Sequence, residues 1–240
     1  MCPECQRPAA VGIQCVDCVA EAAKQRGPVV SQLGFVPRGG PPLVTIGLIL
    51  ANVAAFALGM LIIGEQQWWI DWGLWPGAAE QLGLEGGLFA LGQEPYRWIS
   101  SGFLHFGPFH LGINMLVLWQ FGSQLEPALG RLRYVLLYAV SLLGGSLAIV
   151  LLASGGVHGG ASGAIFGLIT AFIIVMRRLR LAVQGLLITA GIWLVAGFFI
   201  GSISWQGHLG GAIAGGLVML AMFRGVDKRQ RRRNERITPV

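Results

Sequence analysis

The chain has 240 residues, of which 54% are hydrophobic and only 12% charged, and its mean hydropathy is +0.66. A soluble domain carries about 25% charged residues, so the composition excludes one and implies a chain that crosses a membrane several times. Its 37 glycines follow no three-residue period, which excludes a collagen-like chain, and small residues suit membrane helices that pack closely. The net charge of +6 is mostly local, with seven basic residues between Arg224 and Arg236 against Asp227 and Glu235.

All four cysteines lie in residues 1–20: Cys2, Cys5, Cys15 and Cys18. Two Cys-x-x-Cys pairs joined by a short loop match a tetrahedral zinc site. A pair of disulfides is the alternative, and a reducing cytoplasm disfavours it. So small a segment has no core, so the metal would supply most of its folding energy. The cysteines stand where a signal peptide would, and none is expected. Residues 21–42 read as a linker, polar at first and then rich in Gly and Pro.

The first expected span is Leu43–Ile63, close to the roughly 20 residues a bilayer needs. A long connection, Gly64–Phe106, carries Glu65, Asp71, Glu80, Glu85, Glu94 and Arg97. Its tryptophans (Trp68, Trp69, Trp72, Trp75, Trp98) are expected to anchor a folded segment at the headgroup level. Further spans are expected at Pro108–Gln124, Tyr134–Ala153, Ala161–Met176, Leu181–Gly201 and Gln206–Phe223. A tight turn is expected over Glu126–Arg133, with Glu126 and Arg131 serving as a helix cap or a lipid-edge ion pair. The expected fold is an all-α polytopic bundle of six transmembrane helices, residues 43–223, behind a small cysteine module.

Basic residues cluster before span one, between two and three, between four and five, and after six, while the acidic connection joins one and two. The positive-inside rule then places both termini in the cytoplasm and makes residues 224–240 a basic cytoplasmic tail. Such a tail is compatible with anionic lipid headgroups. Nucleic-acid binding is not expected, since nothing else supports it.

Tyr134 to Met176 contains no Asp, Glu, Lys or Arg, and Leu181 to Phe223 holds one ionisable side chain, His208. Ionisable groups inside a membrane are costly and mark function. Ser162 sits in Gly160-Ala161-Ser162-Gly163 at the outer start of span four, and His208 lies at the outer end of span six. His110 and Asn114, at i and i+4, share one face of span two at the same depth. Gly163 and Gly167 on span four, with Gly207, Gly211, Gly215 and Gly216 on span six, would let the helices approach closely. Span four is short, so a water-filled cavity is expected above Ser162. His208 would take the proton of Ser162, and the Ser162 N–H, Asn114 and His110 would stabilise an oxyanion. No carboxylate lies near His208, so packing must orient the ring. His105 is expected to be structural and His158 solvated.

These residues resemble the rhomboid family of intramembrane serine proteases. Gly160-Ala161-Ser162-Gly163 resembles its Gly-x-Ser-Gly motif, and His208-Leu209-Gly210-Gly211-Ala212 its histidine on the last core helix. His110-Leu111-Gly112-Ile113-Asn114 resembles its His-x-x-x-Asn, and Glu126 to Tyr134 its turn after helix two. Arg97 resembles the arginine of its Trp-Arg motif, although Tyr96 precedes it here. The resemblance implies a Ser162–His208 dyad that cleaves membrane-anchored substrates in or near their transmembrane segments. It implies no metal in catalysis, and a bacterial plasma membrane is the expected location. An inactive relative that binds and regulates transmembrane helices is the alternative. A transporter or channel is disfavoured, because the chain has no internal repeat and no intramembrane carboxylate relay.

Overall fold

The computed structural model describes residues 6–8, 12–25, 31, 33–35, 39–76, 94–153, 155–199 and 203–237. The chain divides into two compact units, Met1–Val30 and Ser31–Val240. In the first, β1 (Gln6–Pro8) pairs antiparallel with β2 (Ile13–Cys15), and helix α1 (Val16–Gln25) follows directly. The helix runs past residue 20, so the front of the expected linker is helical. Cys2 and Cys5 lie outside the described residues.

The second unit is a helical bundle. Helix α2 (Leu43–Leu58) ends in a π-helical turn, Gly59–Ile63, where Trp68 packs on Gly59. Short helices α3 (Glu65–Trp72) and α4 (Arg97–Ser100) flank residues 77–93, which lie outside the described set along with Glu80 and Glu85 of the acidic connection. Five long helices follow: α5 (Gly107–Leu129), α6 (Arg131–Leu152), α7 (Ser162–Arg178), α8 (Gln184–Phe199) and α9 (Trp205–Ile237). Three helical stretches among the described residues are long and apolar enough to cross a membrane: Leu43–Ile63, Arg131–Leu152 and Trp205–Arg232. Large apolar side chains such as Leu61, Leu116, Leu132, Leu151, Ile188, Phe199 and Leu217 point outward, as lipid-facing residues do.

The helix ends show how local chemistry places the elements. Helix α2 starts after Pro41-Pro42, and its first N–H groups need acceptors from elsewhere. Glu126 on α5 supplies them, accepting from the Val44 N–H at 3.0 Å, the Thr45 N–H at 2.8 Å and the Thr45 hydroxyl at 2.9 Å. A negative charge at a helix N-terminus is also favoured by the helix dipole. Glu126 is only 2% exposed, with Arg131 at 3.9 Å. It is therefore a buried cap on a neighbouring helix, not a group at the lipid edge. Helix α5 continues through Pro127 to Leu129, so the expected turn over Glu126–Arg133 shrinks to Gly130. That residue adopts φ +83°, open chiefly to glycine.

Three other expectations are corrected. Trp68 and Trp69 are buried, not anchored at a surface: Trp69 stacks on Phe106 with centroids 3.9 Å apart. Leu33 and Phe35, placed in the linker by sequence, are buried in the main core, with Phe35 stacked on Phe223 at 5.7 Å and Arg133 over its ring. Helix α9 does not end with the apolar run at Phe223 but continues to Ile237 through the basic residues. Arg, Lys and Gln are good helix formers, so the charge that marks a membrane exit need not stop the helix.

The core of the bundle is a backbone-to-backbone seam. Helix α9 packs chiefly on α6 and α7. A Cβ on Gly215 would lie 2.5 Å from Gly167 Cα, and one on Gly145 would lie 2.9 Å from Gly207 O. A Cβ on Gly211 would overlap the Gly163 carbonyl. With no hydrophobic drive between helices in lipid, such close packing is what holds them together.

Candidate active site

Helix α7 begins at Ser162, after a turn at Ala161. Its first N–H groups have no intrahelical acceptor and carry the positive end of the dipole. Gly160 has φ +133°, and a Cβ there would lie 3.0 Å from His110 Cε1, 3.4 Å from His110 Nε2 and 3.6 Å from Ser162 Oγ. The glycine is thus required twice, for its backbone and for space. It also locates the His110 ring beside the serine hydroxyl.

His110 projects from the first turn of α5. Its Nδ1 accepts the Phe106 N–H at 3.2 Å, which in the neutral ring leaves the proton on Nε2, the edge that faces Gly160. His105, 2% exposed, supports it with ring centroids 5.1 Å apart. The His105 Nδ1 approaches Phe103 O at 3.4 Å, while its Nε2 is buried without a hydrogen-bond partner. Asn114, one turn below His110, is buried and donates one amide hydrogen to His110 O at 2.8 Å. Its second amide hydrogen is left for another acceptor.

His208 lies in the first turn of α9 and is 5% exposed. Its ring stacks on Phe166 with centroids 4.1 Å apart and planes 13° from parallel. Phe166 is four residues after Ser162, on the same face of α7. The residue that carries this stack is thus one helical turn from the serine. The adjoining glycines, Gly163 and Gly207, meet backbone to backbone: a Cβ on Gly163 would lie 3.2 Å from Gly207 O. The side chains of Ser162 and His208 are not hydrogen-bonded to each other. Such bonds are often loose without substrate and tighten when it binds. His208 Nδ1 is buried without a partner, so the ring is held by stacking and not by a carboxylate.

The segments around the serine are tied together by several hydrogen bonds. Leu74 and His158 exchange backbone bonds at 3.0 and 2.8 Å, and the Gly160 N–H donates to Ser101 O at 2.8 Å. Arg97 donates to Ile70 O at 2.6 Å and Gly73 O at 2.9 Å and pairs with Glu94, clamping the end of α3 to α4. His158, expected to be solvated, is partly buried: Nδ1 lies 2.6 Å from Ser204 Oγ and Nε2 lies 3.1 Å from Gly155 O. Two features of the site lie outside the residues the sequence singles out. Gly144-Gly145, adjacent small residues in a leucine-rich span, form the α6 side of the seam. Phe166 gives no signal, being one aromatic in an apolar run. A cleft of about 360 Å³ opens beside the site, lined by Glu65, Gln66, Trp69, Ile70, Trp75, Phe106 and Val157. Ser162 does not line it, so it is not the cavity expected above the serine.

A rhomboid domain matches residues 92–225. Rhomboid protease GlpG of Serratia proteamaculans is 30% identical over 207 residues, which cover 82% of this chain and 66% of that protein. GlpG of Yersinia pestis is 30% identical over 186 residues, covering 74% and 61%. Rhomboid protein 1, mitochondrial, of Saccharomyces cerevisiae is 32% identical over 155 residues, covering 56% and 44%. The matches span between 44% and 66% of the length of these relatives. With its apolar helices and a domain match over more than half its length, the chain is an integral membrane protein that belongs to the rhomboid family.

Proposed function

We propose that the protein is an intramembrane serine endopeptidase that cleaves membrane-anchored substrates in or near their transmembrane segments. One observation carries the reading: the His208 ring lies flat on Phe166, one turn below Ser162 on the same helical face. His208 takes the Ser162 proton as the hydroxyl attacks the peptide carbonyl, then returns it to the leaving amine. The oxyanion is met by the Ser162 N–H at the start of α7, by His110 Nε2–H and by the second amide hydrogen of Asn114. The protease names of the GlpG relatives support this reading. The substrates are transmembrane proteins embedded in lipid.

The test is covalent labelling of the purified protein in detergent with a fluorophosphonate, alongside cleavage of a generic transmembrane substrate. Ser162→Ala is expected to lose both. Labelling of the mutant at the wild-type level defeats the assignment, and a wild-type protein that neither labels nor cleaves favours a non-catalytic helix-binding role.

The same reading places six spans in a bacterial plasma membrane, with α2 and α5 to α9 crossing and both termini cytoplasmic. It also includes a structural zinc held by Cys2, Cys5, Cys15 and Cys18. Of the four, Cys15 and Cys18 lie within the described residues, three positions apart where β2 meets α1. Cys15 closes β2 opposite Gln6, the residue that follows Cys5 in sequence. The backbone N–H groups of Cys18 and Asp17, then the Cys18 side chain, hold the Cys15 thiol below its ordinary value, while the same contact with Cys15 holds the Cys18 thiol above its own. Bound there, the ion would tie the hairpin to the start of α1. About one zinc per chain is expected by elemental analysis. It should be lost in Cys2→Ser/Cys5→Ser, and metal-free wild-type protein isolated under reducing conditions rejects the site.

A further inference from the structure

Ser162 and His208 come from helices that begin 43 residues apart, at Ser162 and Trp205. Their spacing depends on how the two segments that lead into those helices are held. His158 lies four residues before Ser162, and Ser204 lies four residues before His208. The two side chains meet at 2.6 Å. We propose that His158 is a positioning residue: through Ser204 it joins the two segments and fixes the separation of Ser162 from His208. The inference rests on the dyad reading above but extends it to a pair outside the reacting groups.

The surroundings decide the chemistry of the pair. Nε2 of His158 lies 3.1 Å from the Gly155 carbonyl, which can only accept. The neutral ring must therefore carry its proton on Nε2 and present Nδ1 as an acceptor. Ser204 then donates its hydroxyl hydrogen to Nδ1. Burial opposes a charged ring at this place and keeps the His158 pKa below its usual value, so this tautomer is favoured. The backbone of His158 is fixed independently by its exchange with Leu74, and Gly73 packs beneath Val157. One end of the link is thus anchored on a rigid frame. The other end leads directly into the first turn of α9, whose His208 N–H donates to Ser204 O at 3.1 Å. Displacing Ser204 shifts the turn that carries the histidine.

The tautomer makes the test discriminating. Asparagine places its side-chain oxygen near the position of Nδ1, whereas glutamine reaches the position of Nε2. We expect Ser204→Ala to slow fluorophosphonate labelling of Ser162 by about 10- to 100-fold, the scale of a misplacement near 1 Å. His158→Gln should do the same, whereas Ser204→Thr and His158→Asn restore most of the rate. The double variant Ser204→Ala/His158→Gln should be no slower than either single one, because the two act as one link. Unchanged labelling in Ser204→Ala overturns the proposal, as does a double variant whose losses multiply.

A second readout does not depend on activity. Nitrogen NMR of the His158 ring in the unlabelled protein should show Nδ1 without a proton and Nε2 protonated, with the Nδ1 resonance moving in Ser204→Ala. A protein that shows this signature but never labels overturns the dyad reading alone. A protein that labels while Nδ1 carries the proton overturns the link alone.

Discussion

Replacing His208 by alanine is expected to lower cleavage of a transmembrane substrate by about 10⁴-fold, to the level of Ser162→Ala. A serine hydroxyl at neutral pH is a weak nucleophile, and among the described residues no other titratable side chain is held against the same face of α7 by stacking. The oxyanion donors on α5 and α7 remain in the variant, so residual catalysis over water should persist. Phe166→Ala is expected to fall between, losing about 10- to 100-fold, because the ring keeps its chemistry but not its support. The double variant should match His208→Ala, since Phe166 acts only through the imidazole. Single-turnover cleavage by purified, folded variants checks all three. Cleavage by His208→Ala within tenfold of wild type would sink the base assignment, and a double variant slower than His208→Ala would give Phe166 a separate role.

Much of this site can be read from the sequence because the membrane makes polar groups rare. Ser162 between glycines and His208 alone in its stretch stand out against apolar neighbours. His110 and Asn114 emerge from helical spacing. What resists reading is whatever depends on neighbours distant in sequence. His158 and Ser204 are separated by 46 positions, and a histidine in a glycine-rich loop reads as solvated until that loop is folded against Leu74. The tautomer of His110 depends on the Phe106 N–H, which no pattern announces.

The bundle divides along the same line. Apolar runs locate the centres of the helices, because burial or lipid contact is needed throughout each run. Helix ends follow different physics. Membrane exit is marked by charge, yet α9 continues through Arg224 and Lys228, because arginine and lysine propagate a helix in water. Glu126 reads as a helix cap or half of a lipid-edge ion pair, but which helix it caps is hidden, since its partners are N–H groups on α2 some 80 residues earlier. Trp68 and Trp69 read as anchors by composition, but the connection folds over Gly59, Phe106 and Gly159 and takes them inside.

The seam between α7 and α9 sets the second large expectation. A side chain on Gly211 would overlap the Gly163 carbonyl, and backbone cannot yield as a flexible side chain can. Gly211→Val is therefore expected to destabilise the bundle by about 3 kcal/mol or more, at the upper end of over-packing costs. Gly211→Ala should cost less, though still enough to part the helices. Gly225 lies on the same helix with nothing within 4 Å of its added Cβ. Gly225→Ala should stabilise by about 0.5–1 kcal/mol, since alanine is the better helix residue where space is free. The opposite signs separate packing from propensity within one helix. Ser162 and His208 flank this seam, so fluorophosphonate labelling should fall with stability at Gly211 and stay unchanged at Gly225. Unfolding midpoints in detergent, measured with labelling rates, test both. Gly211→Val with a wild-type midpoint would mean that α7 and α9 are not in backbone contact, and the histidine would then lack its route to the serine.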